Sequence, residues 1–465
     1  MSQPGEATDE QQTPERQGVP ASRSQSRSPR AHRRRPAAAG GSRGTGPDRP
    51  GRDHATRAAP GSRVARAGPH LPHLREAFRF ADWDATVRRS EVAGKLPVVS
   101  PLDPAQLQYT SGTTGFPKGA LLVHQALITN AWFVHQRAGF PTHGVWTTAL
   151  PLFHTAGCGM SVLGTAASRG TLVLAQIFEP ALLLDAAQRW RADVVGGVPT
   201  MLAAMLRHPD FGSYDLSQVK VVASGGDFVP AALIEESERR FGARFSTVYG
   251  QTESSPIVTQ TSPDDSDADR TGTVGRPLWQ TELMISDPRS GDAVAVGEEG
   301  EVRARGYLVM REYFDQPEET AAAIDADGWL RTGDLGVLDE RGYLRVTGRL
   351  KDVIIRGGEN IYPAEIERAL LTHPGVAGAA VVGVPDEQWG EQVAAAIWPR
   401  DSSSPPSIHE LRALARNRLA PYKTPTTWYM TETLPTNAMG KIQKFILRQQ
   451  ITDGTLSPLP PGSEH

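Results

Sequence analysis

The segment Tyr109-Thr110-Ser111-Gly112-Thr113-Thr114-Gly115-Phe116-Pro117-Lys118-Gly119 carries the sharpest chemical signal in the chain. Its three glycines let the backbone approach an anion closely, its Ser and Thr hydroxyls offer hydrogen bonds to phosphate oxygens, and Lys118 adds a positive charge. That is chemistry suited to a polyphosphate. It is not the Walker A loop, because Lys118 is followed by Gly119 rather than Ser or Thr. A lone Gly/Ser/Thr turn would be a linker, so the flanks matter. Downstream come Tyr249-Gly250-Gln251-Thr252-Glu253, Thr332-Gly333-Asp334, Gly348-Arg349-Leu350-Lys351-Asp352 and Gly440-Lys441. Each is weak alone, since a turn aspartate or a surface lysine is usually structural. Lys441 lies in a polar stretch and reads on its own as a solvated side chain.

The elements that must position these residues follow from periodicity. A strand-like Gln106 to Tyr109 precedes the loop and an apolar helix from His124 follows it. Val145 to Leu150, Thr171 to Leu174, Val194 to Val198 and Val219 to Ala223 read as short buried strands. Pro180 to Trp190, Thr200 to His208 and Pro230 to Phe241 have helical spacing. Such alternation argues for an α/β fold with a parallel sheet covered by helices. From Thr273 to Val346 short strands with Gly and Asp turns predict a small β subdomain, with a turn at Asp339 to Gly342. A last unit of mixed elements follows, with helices at Pro363 to Thr372 and Ser407 to Leu419 and a strand at Val376 to Val384.

The chain has 465 residues and a net charge of -3, which predicts several folded units and gives no global attraction to nucleic acid. Residues 1–70 are rich in Arg, Pro, Gly, Ser and Ala, a composition that predicts disorder. An RNA-binding arm or a transit peptide are the functional alternatives for that segment, but no aromatic residues interleave the arginines for stacking. The single cysteine, Cys158, excludes an intramolecular disulfide. No apolar run reaches the length of a membrane span, and no secretory signal is evident, so the expected location is cytoplasmic.

In one chain and in this order, the phosphate loop and the four downstream motifs resemble the adenylate-forming (AMP-binding) superfamily of acyl- and aryl-CoA synthetases, luciferases and peptide-synthetase adenylation domains. The resemblance runs from about Asp103 to Gln450. It implies a large N-terminal adenylation domain, residues 71–348, built of helix-covered sheets plus the small β subdomain. It implies a small α+β C-terminal domain, residues 349–452, joined by a hinge at Lys351, with 453–465 as a tail. ATP, Mg2+ and coenzyme A are the implied cofactors and substrates. Thr110, Ser111, Gly112, Thr113, Thr114, Gly115 and Lys118 would cradle phosphates, and Gly225, Gly226 and Asp227 would border the adenine and acyl pocket. Tyr249 would lie against adenine beside Gly250, and Thr252 would contact the α-phosphate. Glu253 would hold Mg2+, a hard cation that prefers oxygen ligands shared with phosphate. Asp334 would accept from both ribose hydroxyls, Arg349 would add a ribose contact, and Lys441 would catalyse adenylation. After rotation about Lys351, Gly357 and Gly358 would guide the thiol of coenzyme A.

The segment Pro151-Leu152-Phe153-His154-Thr155-Ala156-Gly157 is similar to the one that closes the acyl pocket, and it lacks the aspartate used to anchor amino acids. His154 either meets the substrate carboxylate or packs; both readings stand. The resemblance is strongest to medium-chain fatty acyl-CoA synthetases, with an aryl or cinnamate-type ligase as the alternative. Members of the superfamily carry a longer ordered stretch before the phosphate loop, so the large domain is expected to be incomplete at its N-terminus. That creates a further alternative, an inactive homologue acting only as a nucleotide-binding or interaction protein.

Overall fold

The computed structural model describes residues 97–110, 117–436 and 441–459. All of these lie in one compact unit, Lys95–His465. The Arg-rich segment 1–70, loop residues Ser111, Gly112, Thr113, Thr114 and Gly115, and Gly440 lie outside the described residues.

Strand β1 (Pro104–Thr110) pairs antiparallel with β2 (Lys118–Val123), with Thr110 opposite Lys118. The two ends of the seven-residue connection 111–117 are therefore adjacent in the sheet. The expected helix α1 (His124–Arg137) follows, but only after β2, which periodicity had not separated from it. The flanks thus form a hairpin rather than a strand-to-helix turn. The strand sits directly against the helix start because His124 N donates to Asp103 O and Gln125 N to Pro101 O.

Strands β3 (Val145–Thr148), β4 (Thr171–Leu174), β5 (Val194–Gly197), β6 (Val221–Gly225) and β7 (Arg244–Gly250) run parallel in the order β4-β3-β5-β6-β7. Parallel pairing needs crossovers, supplied in part by α2 (Pro180–Trp190), α3 (Pro199–Leu206) and α4 (Ala231–Phe241). Adjacent residues point to opposite faces. Val195, Val222 and Phe245 pack against Leu183, Leu202, Met205 and Ile234 from those helices, whereas Val194, Val221 and Val248 face Phe133 and Val134 of α1. The sheet is not wholly parallel: β8 (Ile257–Gln260) and β9 (Arg276–Pro277) add antiparallel strands beyond β7. The reason is the short return from Gly250 to Ile257, too brief for a crossover helix.

The small β subdomain is an antiparallel sheet of β10 (Thr281–Ser286), β11 (Glu299–Gly306), β13 (Leu330–Leu338) and β14 (Leu344–Arg349), closed at Asp339 to Gly342 as expected. Between β11 and β13, β12 (Glu312–Tyr313) joins the opening hairpin by pairing with β2. Beyond Lys351 come the hairpin β15 (Ile354–Arg356) and β16 (Glu359–Ile361), helix α5 (Pro363–Leu370), the long pair β17 (Val376–Asp386) and β18 (Gly390–Pro399), α6 (Ile408–Arg418), β19 (Thr427–Met430) and α7 (Lys444–Thr452). Helices α5 and α6 cover one face of this sheet and α7 the other. The segment after Thr452, expected as a polar tail, puts Leu456 and Leu459 against these two cores, and Leu459 N donates to Trp428 O. Partly burying two leucines helps offset the ordering of a short stretch. Among the described residues no helix is long and apolar enough to cross a membrane.

Candidate active site

Several of the candidate residues sit at the ends of strands. Strand β6 ends in Gly225, where a Cβ would stand 2.1 Å from Val248 O on β7, so only glycine lets these strands stay paired to their ends. Gly226 follows with φ +83° and turns the chain out. Asp227 is exposed on that turn and accepts from Phe228 N at 2.8 Å. At the end of β7, Gly250 is equally constrained, since a Cβ there would lie 2.0 Å from Pro256 O. The next turn, Thr252–Ser254, is closed by reciprocal bonds between Gln251 and Ser254. It leaves Thr252 nearly buried and holds Glu253 by its backbone, Met310 N donating to Glu253 O at 2.8 Å.

Asp334 on β13 stands opposite Arg349 on β14. Its Oδ1 meets Arg349 Nε at 2.8 Å, and its Oδ2 accepts from the Tyr249 hydroxyl at 2.9 Å. Burial, then the neighbouring Asp334 carboxylate, raises the Tyr249 pKa well above its ordinary value and keeps the phenol protonated as a donor. Asp334 is only 3% exposed, and a carboxylate has about four lone-pair sites, acceptor capacity a diol could share with these two partners. Tyr249, expected against adenine, is thus also a tether for Asp334. Thr332 supports the same turn by donating to Val302 O at 2.6 Å and accepting from Asp334 N at 3.1 Å.

Lys441 comes into this cluster from the far side of Lys351. Burial, then repulsion from Arg349, pushes its pKa down to about 8, while Asp227 and Asp334 pull the other way and Lys351 adds further repulsion. His154 is near the same ammonium: burial and then Lys441 lower its pKa. Its Nδ1 accepts from Ala156 N at 3.1 Å, so a proton on the neutral ring belongs on Nε2. Burial, then Arg349, also lowers the pKa of Lys351. Arg349, Lys351 and Lys441 together face Asp227 and Asp334, an excess of positive charge that suits a phosphate-bearing ligand.

Lys118, the charge expected on the phosphates, is bound to Glu319 and lies 5.2 Å from the centroid of the Tyr313 ring. Tyr313 in turn donates to Glu253 Oε1 at 2.7 Å. These two partners were not identified from sequence, because no local pattern links residues 60 and 201 positions apart. Among the described residues no group of three or more His, Cys, Asp or Glu side chains gathers for a metal. A single carboxylate sharing a cation with substrate phosphates is the arrangement Mg2+ accepts, so Glu253 fits that ion. Thr110 ends β1 beside Lys118, its hydroxyl 3.4 Å from Lys118 O. Gly357 and Gly358, with φ +59° and +87°, form the exposed tip of the β15–β16 hairpin, where Gly357 N donates to Trp389 O at 2.8 Å. They pack within the C-terminal sheet, not with the Asp334–Lys441 cluster.

Known proteins resemble the chain over most of its length. The AMP-binding enzyme family matches residues 55–314 and its C-terminal domain matches residues 365–441. The putative acyl-CoA synthetase YngI of Bacillus subtilis (strain 168) is 42% identical over 366 residues, 78% of this chain and 66% of that protein. A feruloyl-CoA synthase from Amycolatopsis sp is 42% identical over 348 residues, covering 75% and 70%. The mitochondrial medium-chain acyl-CoA ligase ACSF2 of Mus musculus is 38% identical over 358 residues, covering 75% and 58%. The chain therefore spans less than two thirds of YngI and of ACSF2. Among solved structures, ATP-bound MatB from Rhodopseudomonas palustris superposes with a TM-score of 0.74 at 32% identity, over 80% of this chain and 72% of that one. With both parts of the family matched in order along one sequence and the same mixed α/β fold around them, the chain belongs to the AMP-binding enzymes of the adenylate-forming superfamily.

Proposed function

We propose that the chain is an acid–thiol ligase that uses ATP to convert a medium- or long-chain fatty acid to its acyl-adenylate and then to the coenzyme A thioester. The observation that carries this reading is the meeting of Lys441 with Asp334, Arg349 and His154, residues that lie 92 or more positions away in sequence. In the first half-reaction the acid's carboxylate oxygen attacks the α-phosphorus of ATP and pyrophosphate leaves. Lys441 neutralises charge between carboxylate and α-phosphate, Thr252 donates to the α-phosphate, and Asp334 with Arg349 orients the ribose. Glu253 would hold Mg2+, which when bound would supply charge neutralisation on the phosphate oxygens. In the second half-reaction the thiol of coenzyme A attacks the acyl carbon and AMP leaves. The domain division at residue 348, the hinge at Lys351 and the guidance of the thiol by Gly357 and Gly358 belong to this proposal.

A second reading, an aryl or cinnamate-type acid, draws on the resemblance to feruloyl-CoA synthase. Pyrophosphate release from ATP and Mg2+ is measured with octanoate and with cinnamate. Faster release with octanoate supports the fatty acid, and faster release with cinnamate supports the aryl reading. No release with any acid, from a folded monodisperse sample, overturns both and leaves a nucleotide-binding or interaction protein.

A further inference from the structure

The pose that brings Lys441 to the nucleotide cluster is held by contacts that cross Lys351. Arg368 lies on α5, after that residue. Its Nη1 donates to Val346 O at 3.0 Å and its Nη2 is 3.4 Å from Thr347 O, both on β14, before it. Its guanidinium also lies 5.7 Å from the centroid of the Phe228 ring, the residue next to Asp227 on the site's own turn. Tyr362, at the N-cap position of α5, packs on Gly348 of β14, and burial and then the Glu299 carboxylate of β11 push its pKa up to about 12. Any rotation of the chain beyond Lys351 against β14 breaks all of these contacts together, while the α5–β17 packing within the C-terminal unit is untouched.

The chemistry of the contact suits release. Arg368 reaches across the boundary to carbonyl oxygens and a ring face, not to a carboxylate, so separation leaves no unpaired buried acid behind. Burial, and then the nearby Arg345, lowers its pKa, with Glu365, Glu367 and Glu299 opposing that shift. Nothing places Arg368 on substrate. It is a positioning residue that acts through the location of Lys441.

We propose that Arg368, with Tyr362 beside it, is the latch that holds the C-terminal unit in the adenylation pose and sets how readily the chain passes from the first half-reaction to the second. This inference rests on the two-step reading above. The test uses the full chain and Arg368→Met, Arg368→Lys and Tyr362→Phe. Three rates are measured: pyrophosphate release from ATP and octanoate without coenzyme A, octanoyl-CoA formation from supplied octanoyl-adenylate, and tryptic cleavage after Arg349 or Lys351. Arg368→Met lowers the ratio of the first rate to the second about tenfold and speeds cleavage, with smaller shifts of the same sign in the other two variants. Equal loss of both half-reactions, or an unchanged ratio with unchanged cleavage, overturns the latch. Should the parent chain perform neither half-reaction, the two-step reading fails, and cleavage alone decides whether the contact holds the pose. If Arg368→Met does not fold, Arg368→Lys and Tyr362→Phe carry the same comparison.

Discussion

Lys441 keeps its proton against burial and against the charges of Arg349 and Lys351, which together push its pKa down to about 8. The charged form is the one that neutralises a phosphate, and it predominates below that value. The kcat/KM of adenylation, which reports the free enzyme, is therefore expected to fall as pH rises through about 8. Lys441→Arg, whose guanidinium stays charged, removes that limb; a wild-type profile flat to pH 10 contradicts the assignment. His135 gives a second pH dependence, in stability. It is fully buried, stacked 4.4 Å from Trp146, with Nε2 3.0 Å from Met160 O and Nδ1 without a partner among the described residues. Burial lowers its pKa from 6.5 to about 4. The unfolded chain takes up the proton first, so the stability from this group is present above 6.5 and is lost as pH falls toward 4. The loss amounts to about 3 kcal/mol. Urea denaturation between pH 7 and pH 4.5 is expected to show this slope in the parent and a shallower one in His135→Leu.

At the level of elements, the site depends on strand ends that tolerate no side chain. Gly225→Ala would drive a Cβ onto Val248 O, a backbone atom that cannot swing away. The variant is expected to lose about 1–3 kcal/mol of stability and to disturb the Gly226–Asp227 turn, as thermal melts together with ATP affinity would show. An unchanged melt would mean that β6 and β7 separate more easily than their register implies. Much of this layer was legible beforehand: α2 and β4 match their expected limits, and β3, β5, β6 and α4 differ by a few residues at their ends, because periods of 2 and 3.6 are local properties. The antiparallel strands β8 and β9 and the pairing of β12 with β2 were not, since they depend on where short connections bring distant segments. The site divides in the same way. The residue types of Asp334, Glu253 and Lys441 announced themselves in motifs. The grip of Tyr313 on Glu253, the pairing of Lys118 with Glu319 and the tether from Tyr249 to Asp334 appear only when the chain is folded.

For the molecule as a whole, the decisive feature is that two stretches of chain on either side of Lys351 contribute to one charged cluster. The large-sheet side brings Asp227, Asp334, Arg349 and His154, and the C-terminal side brings Lys441. The chain does this while spanning 66% of YngI and 58% of ACSF2, so the whole-protein reaction has to be demonstrated on this sequence itself. Lys441→Ala tests the central claim most directly, by comparing pyrophosphate release from ATP and octanoate with thioester formation from supplied octanoyl-adenylate. Loss of roughly 10²–10³-fold in the first rate, with the second largely spared, is the result predicted for a charge acting on the α-phosphate. Equal loss of both rates, or an undiminished first rate, would contradict it.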